Sequence, residues 1–143
     1  MNLWLLDTDI VSFCLADQPL VNQRLAIAGN DAVISIVTVH EVFNGWVARI
    51  NSAKTIEETV FLYGKLSKAL ALFRKVRVLD FDDKASVQLK KLLTQYPNLD
   101  KSSLRKDMRI AAIALANNAN IITRNYRDFS LVPGLVILDW SQP

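Results

Sequence analysis

Three acidic side chains stand where apolar, strand-like runs give way to helical patterns. Asp7 ends the first such run, Glu41 follows the second, and Asp107 opens a later helical pattern. In open α/β sheets, ligands bind at the edge formed by the carboxyl ends of the strands. If the three carboxylates meet at that edge, they would form a cluster able to hold a divalent metal ion.

Asp7 and Glu41 each have a structural alternative. A carboxylate directly ahead of a helix, such as Asp7, is a good N-cap, and its second oxygen remains available to a metal. The segment from Thr38 to Glu41 fits the capping box S/T-x-x-E, with Thr38 as N-cap. In the functional interpretation, the helix of Glu41 starts at the carboxyl edge of strand two and lies beside the Asp7 loop. Taken alone, Glu41 favours the capping box, whereas Asp7 favours neither role.

Asp107 indicates function more strongly. On a helix it shares a face with the apolar residues Ile110, Ala111, Ala114 and Leu115. A buried, ionised carboxylate needs an ion-pair partner, hydrogen bonds or a metal. A salt bridge to Arg105 or Arg109 is the structural alternative, but neither arginine has the three- or four-residue spacing that favours such a pair.

A polar segment after the fourth strand-like run supplies more oxygen ligands. Thr123 and Asn125 alternate out of the strand end, and Asp128 follows in a turn. Hard oxygen ligands without clustered Cys or His suit Mg²⁺, or Mn²⁺ in its place, rather than zinc. The lone His40 is expected to face solvent or a neighbouring helix.

Basic residues surround the acids, and a nearby phosphate backbone would account for them, as would ordinary solubility charges. They are Arg105, Lys106, Arg109, Arg124 and Arg127. Arg105 and Lys106 are locally unfavourable in a first helical turn, because their charge opposes the helix dipole.

The elements that would position these residues alternate along the chain. Short apolar runs, typical of strands covered on both faces, lie at residues 3–6, 32–37, 76–79, 121–123 and 135–138. Helical patterns lie at residues 9–15, 20–28, 39–52, 56–73, 82–96 and 104–117. This order predicts a three-layer α/β/α sandwich with a central, mostly parallel five-stranded sheet.

Composition narrows the classes of protein. The 143 residues predict a single domain over residues 1–143, and the net charge of +3 permits a nucleic-acid partner without arguing for it. A hydrophobic content of 51% indicates an apolar surface covered by a partner or a second copy. The single cysteine, Cys14, favours a reducing, cytoplasmic setting. The N-terminal apolar run is too short for a membrane span and lacks the basic start of a signal peptide.

Four segments, in order, resemble the motifs of PIN-domain proteins. Residues 5–12 (LLDTDIVS) resemble the first motif, in which an acid closes strand one, and residues 38–42 (TVHEV) resemble the second. Residues 106–114 (KDMRIAAIA) are similar to the third motif, and residues 123–129 (TRNYRDF) to the fourth. The chain end, residues 132–140, resembles that of the bacterial VapC toxins within that family. The resemblance covers essentially the whole chain.

The resemblance implies a PIN-like fold and an endoribonuclease that uses Mg²⁺ held by Asp7, Glu41 and Asp107. It also implies the toxin component of a VapBC-type toxin–antitoxin system. The implied partners are an RNA substrate, a cognate antitoxin and a second copy of the chain in a homodimer.

This chain departs from the family pattern at Asn125, where many members carry an acid. Some members with asparagine at this position have an acid three residues later, which corresponds to Asp128. The resemblance therefore implies Asp128 as the fourth acid, with Asn125 and Thr123 in support.

Two other functions fit parts of the pattern. Residues 7–11 (DTDIV) loosely resemble the DxDx[TV] loop of haloacid dehalogenase-type phosphotransferases, whose first Asp is a nucleophile. Those enzymes need a later acidic pair, where this chain has Arg124 and Asn125. Alternatively, the chain is a catalytically weak PIN-like module that binds RNA or protein, which the departure at Asn125 would allow.

Two long helical patterns, residues 39–52 and 56–73, would form a hairpin with a groove for a partner's amphipathic helix. The alternative is that their large apolar side chains pack on the sheet. These side chains are Phe43, Trp46, Val47, Ile50, Phe61 and Leu62.

Overall fold

A computed structural model describes residues 2–143; Met1, which falls within the predicted domain, lies outside the described residues. Within that range, five parallel strands form one sheet in the order β3-β2-β1-β4-β5. The strands are β1 (Leu3–Leu6), β2 (Ala32–Ser35), β3 (Arg77–Leu79), β4 (Ala119–Ile122) and β5 (Ile137–Leu138). The predicted parallel α/β sheet is confirmed.

Helices cover both faces of this sheet. They are α1 (Thr8–Leu15), α2 (Pro19–Ala28), α3 (Ile36–Asn51), α4 (Ile56–Lys75), α5 (Asp83–Gln95), α6 (Arg105–Ala116) and α7 (Tyr126–Phe129). One hydrophobic core joins the sheet to α5 and α6, and a second joins it to α1, α3 and α4. Leu5 belongs to the first core and Leu6 to the second, because successive strand residues point to opposite faces. The covered faces explain why the strands read as continuous apolar runs.

The second strand ends earlier than predicted. Ile36 and Val37 form the first turn of α3, because the Ser35 hydroxyl accepts a hydrogen bond from the Thr38 backbone N–H at 3.1 Å. The predicted capping box was therefore wrong, since Ser35 and not Thr38 is the N-cap. Glu41 lies in the second turn of α3, which frees its carboxylate for contacts with other elements.

The remaining boundaries differ by a few residues from the prediction. β4 starts at Ala119, and β5 is limited to Ile137–Leu138. None of the helices in residues 2–143 has both the length and the hydrophobicity that a membrane crossing requires.

Candidate active site

The site begins where β1 and β4 end side by side. Leu6 of β1 pairs with Ile122 of β4, so the next residues, Asp7 and Thr123, emerge together at the carboxyl edge. The Thr123 hydroxyl donates a hydrogen bond to Asp7 Oδ2 at 2.8 Å. Both side chains are buried, with exposed fractions of 6% for Asp7 and 1% for Thr123.

The Asp7 carboxyl is costly to ionise in this position. Burial raises its pKa from 3.8 to about 7, and the negative charges of Asp9 and Asp107 act in the same direction. The hydrogen bond from Thr123 opposes this shift. Asp7 occupies the N-cap position of α1, but its side chain makes no capping hydrogen bond. The capping alternative therefore does not account for this acid.

Asp107 approaches the same edge from the first turn of α6. Burial, followed by the charges of Asp128 and Glu41, raises its pKa from 3.8 to about 6. Within the described chain, neither Arg105 nor Arg109 forms a salt bridge with it. A salt bridge to Arg105 or Arg109 therefore does not compensate the charge of Asp107.

Asn125 holds two of the acids together. Its Nδ2 donates to Asp107 Oδ2 at 3.2 Å and to Asp128 Oδ2 at 3.0 Å. Its Oδ1 accepts from the Asp128 backbone N–H at 3.4 Å, which caps α7. The hydrogen bond from Asn125, aided by Arg127, lowers the pKa of Asp128 below its ordinary value. Asp128 therefore lies beside Asp107 as an ionised carboxylate.

Glu41 reaches the edge from α3. The Thr8 hydroxyl donates to its Oε1 at 3.0 Å, and Lys106 Nζ lies 3.7 Å from its Oε2. Thr8 belongs to α1 and Lys106 to α6. Glu41 thus faces the starts of the two helices that also position Asp7 and Asp107.

Asp9 was not among the predicted site residues, yet it joins the cluster. Its Oδ2 accepts the Arg124 backbone N–H at 3.1 Å, while its buried Oδ1 has no hydrogen-bond partner in residues 2–143. Burial raises its pKa, which the hydrogen bond from Arg124 partly opposes. The D-x-D spacing at the end of β1 was the available signal, because both acids lie in the first turn after the strand.

The basic residues divide into two groups. Lys106 lies near Glu41, Arg127 Nε lies 3.2 Å from Asp128 Oδ1, and the Arg124 guanidinium lies over the Phe13 ring at 5.3 Å. Arg105 and Arg109 instead line a depression against Leu89 and Leu93 on the α5 side. His40 is exposed and bonds to Asn44, as expected.

The donor set has the chemistry that a hard divalent cation requires. Its oxygens are carboxylates, Asp7, Asp9 and Asp107 have raised pKa values, and a buried Asp9 oxygen has no hydrogen-bond partner within residues 2–143. A nearby divalent charge would favour the ionised form of each acid. Within residues 2–143, however, no group of three or more His, Cys, Asp or Glu side chains is already arranged to hold a metal ion.

A parallel sheet with acids at its carboxyl edge is the arrangement expected of a PIN domain, and the sequence profile of the PIN domain matches residues 4–135. The chain belongs to the PIN-domain family. It is 24% identical over 143 residues to ribonuclease VapC2 of Rickettsia felis, covering 98% of this chain and 99% of that protein. It is 26% identical over 139 residues to the tRNA(fMet)-specific endonuclease VapC of Shigella flexneri, covering 96% and 98%.

Solved structures have the same fold. A chain of DNA-bound VapBC from Salmonella typhimurium superposes with a TM-score of 0.78 at 23% identity, covering 98% of this chain and 99% of that one. A chain of VapBC2 from Rickettsia felis, bound to a promoter DNA fragment, gives a TM-score of 0.75 at 23% identity, covering 96% and 98%.

These similarities distinguish between the functions that the sequence suggested. The predicted PIN-like fold and the resemblance to VapC proteins are confirmed. The names of the relatives support the predicted enzyme class, a nuclease. Because the PIN match includes the Asp7 segment, the phosphotransferase alternative has no remaining support.

Proposed function

We propose that this protein is a Mg²⁺-dependent endoribonuclease and the toxin component of a VapBC-type toxin–antitoxin system. The observation that carries the proposal is the convergence of acids from separate elements at one sheet edge, where burial raises the pKa of Asp7 and Asp107. The relatives named ribonuclease and endonuclease, which match over nearly the whole chain, support the same reaction.

Four carboxylates are assigned to hold the metal: Asp7, Glu41, Asp107 and Asp128. When bound, the cation supplies an activated water and neutralises the charge that develops on the scissile phosphate. Thr123 fixes one oxygen of Asp7 by its hydrogen bond, which leaves the other oxygen to the metal. Asn125 sets the separation of Asp107 and Asp128 through its two donated hydrogen bonds.

The basic residues are assigned to the RNA backbone. Lys106, Arg124 and Arg127 stand beside the acids and would contact the phosphates nearest the cleaved bond. Arg105 and Arg109 lie farther round α6 and would contact more distant phosphates.

The partners are proposed from the relatives and from the surface. Similar chains occur in VapBC assemblies, which supports a cognate antitoxin for this cytoplasmic, single-domain toxin. Apolar side chains of α4 are exposed, with Ile56 at 80% and Val60 at 69%, and they would be covered in a complex or a homodimer. Co-purification with a small protein encoded beside this chain tests the antitoxin.

An RNA cleavage assay distinguishes an endoribonuclease from a catalytically weak RNA-binding module. A labelled RNA incubated with the purified chain is expected to be cut in Mg²⁺ and to stay intact in EDTA. RNA that is bound but intact in both conditions would favour the catalytically weak module.

Asp128→Asn tests the fourth acid. Cleavage is expected to fall by at least about 10-fold, since loss of even a residue that only supports a metal ligand typically costs 10- to 100-fold. Adding Asn125→Asp to this variant should restore part of the rate, because it returns a carboxylate beside Asp107 and retains an N-cap for α7. Single-turnover rates in Mg²⁺ measure both effects, with Asp83→Asn, at an exposed position of α5, as control. A wild-type rate for Asp128→Asn would remove this residue from the site.

A further inference from the structure

A pocket of about 450 Å³ opens beside the acids, between α1, α3 and α4. Thr8 and Glu41, which belong to the acidic site, form the wall that the two regions share. The volume lies within the range of about 300–1,000 Å³ that is typical of small-molecule sites. A polymer lying across the acids therefore has a recess immediately next to the reacting bond.

Gly45 lines this pocket without a side chain. It lines the pocket from the middle of α3, where glycine destabilises a helix by about 1 kcal/mol relative to alanine. A Cβ built on Gly45 would meet no atom within 4 Å, so no neighbouring group in the described chain requires glycine here. The missing side chain instead leaves free space in the pocket.

The pocket wall combines an aromatic ring with positive charge. Trp46 lines it, and the Arg49 guanidinium lies over the Trp46 ring at 5.0 Å from the centroid. Lys65 and Lys68 line the opposite side, on α4. Lys68 also pairs with Asp17, at 2.6 Å between Nζ and Oδ2, in an exposed contact. Among the described residues that line the pocket, Glu41 alone is acidic.

We propose that this pocket binds one nucleotide of the RNA strand next to the cleaved phosphate. The base would stack against Trp46 and the apolar wall, and its phosphate would lie between Lys65 and Lys68. Aromatic stacking and cationic side chains are the two elements by which proteins hold single-stranded RNA. An acidic protein segment would match the charge, but the wall shared with Thr8 and Glu41 favours the strand that must already cross the acids.

Binding of a fluorescein-labelled ten-nucleotide RNA of mixed sequence, measured by anisotropy in EDTA, tests this subsite without cleavage. Gly45→Leu fills the pocket from an exposed position and is expected to weaken binding at least tenfold, while Gly45→Ala should change it less than twofold. Trp46→Ala should weaken binding by roughly 5- to 150-fold, the range for loss of one stacked base, and Trp46→Phe should recover part of it.

The salt dependence of RNA binding tests the positive charge of Lys65. Lys65→Gln is expected to reduce the slope of log affinity against log salt by about 1, because one phosphate contact is lost. Lys91→Gln, at an exposed position of α5 across the sheet, is the matched control and should keep the salt dependence of the wild type. Circular dichroism confirms that each variant remains folded.

Equal RNA affinity for Gly45→Leu, Lys65→Gln and Lys91→Gln would overturn the proposal. It would also be overturned if Gly45→Leu kept RNA binding but lost binding to an acidic amphipathic peptide, because the pocket would then be a protein-docking site. The subsite rests on the proposed function, but the two proposals can be rejected independently. If cleavage depends on Asp7 but is the same in Gly45→Leu, only the nucleotide subsite is rejected. If RNA binding depends on the pocket but no RNA is cleaved, only the proposed nuclease activity is rejected.

Discussion

Asp7→Asn is expected to lower the Mg²⁺-dependent cleavage rate by at least about 10³-fold, because metal stabilisation of the transition state is worth several kcal/mol and each 1.36 kcal/mol is tenfold in rate. The asparagine has nearly the same volume as the aspartate, and its Oδ1 can still accept the hydrogen bond from the Thr123 hydroxyl. The buried site should therefore keep its shape while it loses the negative charge that binds the cation.

Asp107→Asn is expected to cause a loss of the same size, because Asp107 is a partly buried carboxylate whose pKa is raised to about 6 beside Asp128 and Glu41. Single-turnover cleavage of a labelled RNA in Mg²⁺ measures both variants against Asp83→Asn, an exposed acid on α5. Circular dichroism shows whether each variant is folded. Undiminished cleavage by either folded variant would contradict the assignment of these residues to the metal site.

The same Asp7→Asn substitution is expected to stabilise the metal-free protein at alkaline pH. The folded-state pKa of Asp7 is about 7, against an ordinary value of 3.8. Between these two values, the folded chain retains a proton that the unfolded chain has released, so the free energy of unfolding falls as pH rises through this window. Above pH 7 this loss of unfolding free energy is complete and reaches up to about 4 kcal/mol. The asparagine variant does not suffer it, because its side chain does not ionise.

Urea unfolding in EDTA, at pH 4 and pH 8, measures this effect. Asp7→Asn should exceed the wild type in unfolding free energy at pH 8, and the difference should shrink toward pH 4. Mg²⁺ should reduce the difference at pH 8, since a ligand stabilises only the form that binds it. A wild type that is the more stable protein at pH 8 in EDTA would contradict the raised pKa of Asp7.

A residue that weakens the fold and is required for catalysis is typical of active sites, where stability is lost to function. Under the proposed function, Asp7 would combine these properties, because β1 and β4 place it inside the sheet edge beside Thr123 and Asp9. The proposed metal supplies the compensating charge.

The sequence predicted β1 and the common edge of the acids, because a carboxylate that follows a short apolar run lies at the carboxyl end of a strand. It misplaced the start of α3, since Ile36 and Val37 continue the apolar character of β2 beyond Ser35. The Thr38 capping box then followed from the wrong helix start.

Contacts between distant segments could not be read from local patterns. The hydrogen bonds from Thr123 to Asp7 and from Asn125 to Asp107 depend on the strand order, which places β4 beside β1. The direction of Arg105 and Arg109 toward α5 likewise depends on how α6 is rotated on the sheet.

The apolar side chains of the helix hairpin divide between the interior and the surface of the protein. Leu62 is buried in the protein, and Phe43 packs against Phe73 with the ring centroids 5.4 Å apart. Phe61 and Val47 remain exposed, as a surface that binds a partner would require. Sequence periodicity does not separate these cases, because all four residues are equally apolar.

Mapping of RNA ends tests the central claim most directly. Total RNA is incubated with the wild type or with Asp107→Asn, in Mg²⁺ or in EDTA, and the new ends are sequenced. A metal-dependent endoribonuclease predicts discrete cuts with the wild type in Mg²⁺, and none in EDTA or with Asp107→Asn. The same cuts in EDTA, or with folded Asp107→Asn, would contradict the account.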